Sequence, residues 1–423
     1  MSDAAPFGAR GTRAPPEPIE PFATKELRPP YVRILMLNYE FPPLGAGGST
    51  SSYHLARTLV ELGNEVDVIT MNLAGIPRQE VMEGIRVMRV PSLRSRREVC
   101  HTHEMATYVL SGTLFAAAQI RRRSYDVVNS HFIFPTGPIA YMLRRLGGPR
   151  YVMTARGSDV PGHNPNRFRF DHQLLLPAWR HIVRDADGVV AVSHDLAARI
   201  REHAGCDVTV IPNGCSPIAL GGASQEQLGL EPSMVGRRIL MVTRLHEFKG
   251  VQYLIQAARQ IGPNMEVHVV GDGPYRATLE NLAHELGVRV RFWGWLDRSS
   301  AELRGLYQHC TVFVFPSERE GSPAVLQEAM SAGLTVVAAD AAGTPEVVGD
   351  AGILVPPRDA KAIADALERL FASPTLVDEL SERARRRVAT EFNWTDLARR
   401  YEQLYARVLD RPSSEPSRSG PAS

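Results

Sequence analysis

Lysine is nearly missing from this sequence. Of 48 lysines and arginines, only Lys25, Lys249 and Lys361 are lysine. Where arginine is the default cation, the lone Lys249 in Arg244-Leu-His-Glu-Phe-Lys249-Gly250 stands out. A compact ammonium on a flexible stem serves a phosphate as a point charge where a guanidinium is too bulky. Cysteine is sparse as well. Cys100, Cys206, Cys215 and Cys310 are scattered without metal-ligand spacing, which points to thiols of a reducing compartment. No stretch approaches the ~20 apolar residues of a membrane span, and the start lacks the apolar core of a signal peptide. The expected location is the cytoplasm. Neither sign of charge dominates: 48 basic residues face 46 acidic ones, a net +2 that gives no reason to expect a nucleic-acid partner.

What is present is the composition of an ordinary globular protein, 44% hydrophobic and 22% charged. A length of 423 residues exceeds what one hydrophobic core serves, so two domains are expected. Residues 1–30 are rich in proline without periodicity, and 411–423 are rich in serine and proline; both read as disordered tails. Between them short apolar runs alternate with helical patterns. Val32–Leu37, Val66–Thr70, Val127–Asn129, Tyr151–Thr154, Gly188–Val192 and Val208–Ile211 are strand candidates of one set. Ile239–Val242, Glu266–Val270, Val288–Trp293, Val312–Phe315 and Thr335–Ala338 form a second set. Nearly continuous apolar strands separated by helices indicate parallel sheets covered on both faces. Two Rossmann-like α/β domains follow, expected over 31–215 and 216–392, with a last amphipathic helix at 393–410.

The most informative stretch is FVFPSEREGSPAVLQEAM, Phe313 to Met330. A buried strand runs into a polar loop, and Pro323 suits the first position of the helix that follows. Glu320 in the loop and Glu328 in the helix would both face the space above the strand's carboxyl end, where open α/β sheets bind ligands. The backbone amides of Gly321 and Ser322 would join them near a helix N-terminus, which attracts anions. Two carboxylates beside anion-binding amides suit a ligand with vicinal hydroxyls and a phosphate, a nucleotide sugar. Taken alone, the two glutamates read more simply as solvated charges.

The run Glu320-Gly321-x-Pro323, Glu328-Ala329-Met330 and Gly333 resembles the E-x7-E motif of glycosyltransferase family 4, retaining enzymes of the GT-B fold. Further segments match in the family's order. They are Gly45 to Gly48, His131, Gly157-Ser158-Asp159, Ile211 to Gly214, Arg244 with Lys249, Gly271-Asp272-Gly273 and Gly343-Thr344-Pro345-Glu346. The resemblance spans about residues 32 to 409 and implies two Rossmann-like domains facing across a cleft. It further implies that the last helix crosses back to the first domain, that the second domain binds the donor and that the first binds the acceptor.

By the same resemblance Arg244 and Lys249 bind the donor diphosphate in place of a metal, Glu328 the ribose, and Glu320 the transferred sugar, with His131 contacting that sugar. Gly47, Gly48, Gly271, Gly273, Gly321, Ser322 and Pro323 complete the implied donor site; Arg156, Asp159 and Asn213 line the acceptor or sugar pocket. Two residues depart from the pattern: Ser322 stands where many relatives have an aromatic residue, and Arg156 where many have histidine. The implied activity is transfer of a hexose-type sugar from a nucleotide-diphosphate sugar to an acceptor hydroxyl, in polysaccharide, glycolipid or other glycoconjugate synthesis. No cofactor and no metal are expected.

Three further features carry competing readings. Gly45-Ala-Gly47-Gly48 fails the dinucleotide fingerprint, because Thr50 stands where the third glycine is needed. Asp185-Ala-Asp187 has the form of a metal-binding triplet but precedes a strand instead of following one. A helix over about Met105 to Arg123 ends in three arginines. It reads first as a core helix with favourable cations at its C-terminus, and second as a basic surface for peripheral contact at the inner face of a membrane. The rival functions are a nonhydrolysing sugar-nucleotide epimerase and a silent binding protein on the same fold.

Overall fold

A computed structural model describes residues 31–45, 47–97, 100–163 and 169–411. The expected tails fall outside them apart from Arg411. The first domain holds β1 (Arg33–Leu37), α1 (Gly47–Glu61), β2 (Glu65–Met71), β3 (Gln79–Met82), β4 (Ile85–Val90), α2 (Thr102–Arg122) and β5 (Val127–His131). It continues through α3 (Thr136–Arg145), β6 (Arg150–Ala155), α4 (Arg169–Asp185), β7 (Gly188–Ala191), α5 (His194–Ala204) and β8 (Thr209–Val210). The second holds β9 (Arg238–Val242), α6 (Val251–Ile261), β10 (Glu266–Val270), α7 (Arg276–Glu285), β11 (Val290–Gly294), α8 (Ala301–His309) and β12 (Val312–Phe315). After these come α9 (Ala324–Ala332), β13 (Thr335–Ala339), α10 (Thr344–Val348), β14 (Gly352–Val355), α11 (Ala360–Phe371), α12 (Pro374–Glu391) and α13 (Trp394–Asp410).

The strand orders are β3-β4-β2-β1-β5-β6-β7-β8 and β11-β10-β9-β12-β13-β14. Every pairing is parallel except β3 with β4. In each sheet the order reverses beside its first strand: β1 lies between β2 and β5, and β9 between β10 and β12. Such switch points open a crevice at the strands' carboxyl ends. His131 ends β5, α1 opens on Gly47 and Gly48 just after β1, and the loops that leave β9 and β12 carry the Arg244–Lys249 pair and Glu320.

Apolar clusters cover both faces of each sheet. One of them joins Ile34, Val127, Val152 and Val190 of the first sheet to Leu397, Tyr401, Leu404, Tyr405 and Val408 of α13. Asn129 Nδ2 donates to the Tyr405 hydroxyl at 2.6 Å. The last helix of the chain is therefore part of the first domain's core.

Several boundaries differ from the sequence reading, each for a physical reason. α1 begins inside the glycine run, at Gly47, and the hydroxyls of Ser51 and Ser52 donate back to the carbonyls of Gly47 and Gly48 at 2.9 and 2.8 Å. That polar first turn has no apolar period to read. Pro323 is the cap residue of α9, one place before the first helical position. α2 starts at Thr102, where Glu104 accepts from the His101 amide at 2.7 Å, a cap that precedes the apolar pattern.

Candidate functional site

The loops after β9 and β12 are pressed together by glycine. Gly250 has φ +79°, and a Cβ there would come within 2.4 Å of the Pro316 carbonyl. Glu318 N donates to the Phe248 carbonyl at 3.0 Å. This approach sets Lys249 against Glu320, and the two form an ion pair in a largely buried setting. Ser317 Oγ donates to the same Glu320 oxygen at 2.8 Å. The ammonium also lies 5.2 Å from the Phe248 ring centroid, a cation–π contact. The lysine assigned to phosphate and the glutamate assigned to sugar are thus neighbours, although 71 positions separate them.

Arg244 lies two residues beyond β9 and is exposed. The loop that carries it is zipped to the loop after β10: Leu245 N donates to the Asp272 carbonyl at 2.9 Å. Gly271 and Gly273 permit this. A Cβ on either would meet the carbonyls of Thr243 or Leu245 at 1.8 and 2.4 Å. Their glycine identity is explained by backbone packing before any ligand is considered.

Glu328 sits on α9 with one oxygen 3.3 Å from the Arg298 guanidinium, while the Tyr307 hydroxyl donates to the other at 3.4 Å. Burial raises its pKa above the usual carboxylate value, against the opposing pull of Arg298 and Tyr307. Arg298 was not singled out from the sequence. It belongs to a Leu-Asp-Arg-Ser-Ser turn of ordinary polar composition, and only the fold brings it to Glu328.

On the first domain, His131 ends β5 and is fully buried. Its Nδ1 lies 2.8 Å from Arg156 Nη2 and 3.3 Å from Ser52 Oγ. Burial, and secondarily the Arg156 charge, push its pKa well below the usual histidine value, so the ring is neutral. Arg156 also donates through Nη1 to Asn213 Oδ1. Asn213 reaches the second domain, its amide donating to Ser322 Oγ at 3.3 Å and its Nδ2 to the Ser322 carbonyl at 3.0 Å. Ser322 therefore turns its side chain to the domain interface. Gly321 fits against the same wall, where a Cβ would come within 2.9 Å of Val192.

Asp159 is held by backbone amides of two loops. Its Oδ1 accepts from the amides of Arg156 and Gly157 at 3.0 and 2.8 Å, and its Oδ2 from that of Ile133 at 2.7 Å. It braces the two loops that hold His131 and Arg156. Gly48 is required by the Phe132 ring, 2.7 Å from a Cβ built there, whereas Gly47 faces open space. Asp185 and Asp187 are engaged below the sheet, Asp185 by Arg145 and Asp187 by the Tyr151 amide, each at 3.0 Å.

Residues 45–217 match the family described as Glycosyltransferase Family 4, and residues 236–373 that described as Glycosyl transferases group 1. A D-inositol 3-phosphate glycosyltransferase of Corynebacterium aurimucosum is 30% identical over 417 residues, covering 89% of this chain and 96% of the relative. The chain belongs to glycosyltransferase family 4. A glycogen synthase of Mycobacterium tuberculosis is 27% identical, covering 88% of this chain and 94% of its own. In structure, a sucrose-phosphate synthase from Thermosynechococcus elongatus superposes with TM-score 0.76 at 24% identity, over 89% of this chain and 98% of that one. The Anabaena protein HepE, solved with UDP-glucose, superposes with TM-score 0.67 at 19% identity, over 88% and 99%. The two parallel-sheet domains are those of a GT-B glycosyltransferase.

In this family member one interdomain contact lies outside the residues assigned to ligands. Glu346 of α10 accepts from the amides of His194 and Asp195 at 2.7 and 3.0 Å, while Ser193 Oγ accepts from that of Leu196 at 3.2 Å. The opening amides of α5, without partners inside the helix, are satisfied across the cleft.

Proposed function

We propose that this glycosyltransferase moves a hexose-type sugar from a nucleotide-diphosphate sugar to an acceptor hydroxyl, with retention at the anomeric carbon and without a metal. One observation carries the proposal. Lys249, in the loop after β9, pairs with Glu320, in the loop after β12, at the carboxyl ends of these adjacent strands and at the switch point of the second sheet. Arg244 and Lys249 suit the diphosphate, whose charge grows as the glycosidic bond breaks. Lys249 then exchanges part of its pairing with Glu320 for a phosphate oxygen, which frees Glu320 to accept from sugar hydroxyls. Glu328, held by Arg298 and Tyr307, offers its oxygens to the ribose diol. Gly47 opens α1 near the phosphates, and His131 meets the transferred sugar.

In the proposed step the bond from the anomeric carbon to the phosphate oxygen breaks, and its electron pair stays on the phosphate. The acceptor oxygen bonds to that carbon on the same face, and its proton passes to the leaving phosphate. UDP and UDP-glucose bound to HepE support a donor of this class. Relatives that act on inositol phosphate or glycogen support hydroxyl acceptors. The test is a screen of nucleotide sugars for protection against thermal unfolding, followed by transfer to candidate acceptors with the product's anomeric configuration read by NMR. A retained anomer formed in excess chelator is the expected result. Interconversion of the donor sugar without an acceptor would favour an epimerase, and no protection by any nucleotide sugar would sink the donor assignment.

The α2 surface extends the proposal to a cytoplasmic location with peripheral contact at the inner membrane face. One side of α2 packs Met105, Tyr108, Gly112 and Ala116 into the core, as a core helix should. Yet Leu110 and Leu114 face outward at 68% and 67% exposure, with exposed Leu93 in the preceding loop bonded to Thr107. Arg121 and Arg122 are exposed at the end of the helix, and its one acidic residue, Glu104, is buried. Exposed leucines beside arginines without acidic neighbours on the helix complement an anionic lipid surface.

A further inference from the structure

We propose that Arg156 fixes the tautomer of His131, keeping the proton on Nε2 so that the ring acts as a permanent hydrogen-bond donor. A guanidinium has donors only. With Nη2 at 2.8 Å, Nδ1 must present its lone pair, and a neutral ring then carries its hydrogen on Nε2. Ser52 does not compete, since its hydroxyl donates to the Gly48 carbonyl at 2.8 Å and accepts from Arg156 Nη2 at 3.2 Å. Nε2 itself is buried and meets no acceptor among the described residues. A buried donor without a partner costs free energy, and a ligand oxygen would satisfy it.

The arrangement is the reverse of the common histidine–carboxylate pair. There the carboxylate holds the proton on the nearer nitrogen and favours the charged ring. Here a cation takes that place. Arg156 is the charged group that bears on the ring, whereas Asp159 and Tyr401 of α13 bear on Arg156. Arg156 is therefore a positioning residue. It is itself positioned by Asn213, so a chain of hydrogen bonds runs from Ser322 in the donor domain through Asn213 and Arg156 to His131. The histidine's state is thereby tied to the contact between the domains. The catalytic consequence, a neutral donor to the transferred sugar, rests on the function proposed above; the tautomer does not.

The experiment is a two-bond proton–nitrogen NMR correlation on histidine-labelled protein without substrate, with the His131 signals identified by their loss in His131→Gln. The expected pattern is a protonated Nε2 and an unprotonated Nδ1, unchanged from about pH 8 to about pH 5, the span in which free histidine titrates. A ring protonated on Nδ1, or one that titrates near the usual value of about 6.5, overturns the proposal. Arg156→Gln should let Nδ1 carry the proton in part of the molecules, while burial still keeps the ring neutral. Turnover should then fall as the Nε2-protonated fraction falls, with nucleotide affinity unchanged. Arg156→Lys, which keeps a charge and a donor, should restore part of the wild-type pattern. Loss of nucleotide affinity in Arg156→Gln with the tautomer unchanged would make Arg156 a ligand cation and overturn the proposal. The tautomer is read without substrate, so its failure is separable from failure of the donor assignment, which the nucleotide-sugar screen tests by itself.

Discussion

At the scale of single residues, the donor assignment turns on Lys249 and Glu328. Removing one preorganised stabilising group commonly costs about 100-fold or more in turnover. Lys249→Ala should lose that much, while wild-type transfer persists in excess chelator. Activity that dies with chelator, returns with a divalent cation and tolerates Lys249→Ala would show the cations misread. Glu328 predicts a pH dependence. Its pKa is raised by burial, so on acidification it protonates before an ordinary glutamate would, above about 4.3. A protonated carboxyl loses acceptor capacity, so donor affinity should fall as pH drops toward that range. Calorimetric titrations carried from neutral pH down into that range should show this limb in the wild type. Glu328→Gln should bind more weakly and lack it; an unchanged limb in the variant would assign the titration elsewhere. Lys249 and both glutamates were legible because they lie in short motifs with a known order. Arg298 was not, because its meaning arises from a contact 30 positions away. The family pattern marked Arg156 and Asp159 as pocket residues but not how they act, since the partners Ser52, His131, Ile133 and Asn213 lie far from them in the sequence.

At the scale of elements, most strands found in the sequence are buried on both faces with continuous apolar runs, although β8 and β11 are largely half-buried. Those missed lack such a run. β3 is polar and alternates between exposed and half-buried residues, and β14 is largely half-buried. β4 carries Arg86 and Arg89 inside the strand. Arg86 meets Asp67 on the neighbouring β2, and Arg89 donates to the Pro42 carbonyl at 2.8 Å. These charges break the apolar pattern because their partners lie on other elements. α2 was found, but its outward leucines could not be told from core leucines by periodicity alone. They make the membrane proposal checkable. The Leu110→Asp and Leu114→Asp double variant should lose most of its cosedimentation with anionic vesicles while keeping its melting temperature. Equal binding by variant and wild type would return α2 to the role of a plain core helix.

At the scale of the whole molecule, the two domains meet through Glu346 of α10 against the start of α5, through Asn213 with Ser322, and at two crossings of the chain. The crossings run side by side: Cys215 N donates to the Phe392 carbonyl at 2.7 Å, and the Trp394 indole donates to Ser216 Oγ at 3.2 Å. Glu346 is the contact that can be removed without touching the proposed ligand residues. Glu346→Ala should open the cleft, seen as a larger radius of gyration by small-angle scattering, and raise the donor KM more than it lowers kcat. A radius and KM equal to the wild type would show that closure does not depend on it.

The place of α13 has a consequence for how the protein is made. Its five large buried side chains, Leu397, Tyr401, Leu404, Tyr405 and Val408, each contribute up to about 1.5–3 kcal/mol. Their sum is comparable to the about 5–15 kcal/mol that holds a whole domain folded. The first domain leaves the ribosome before α13 and lacks this part of its core until α13 has been made. The roughly 180 residues from Ile211 to Trp394 take on the order of 10 to 40 s to synthesise. Throughout that interval one apolar face of the first sheet is covered by α1 but not by α13, while the second domain completes itself from contiguous sequence. The amino-terminal half is thus the last to fold, and its part-covered sheet is what a chaperone would meet on the nascent chain.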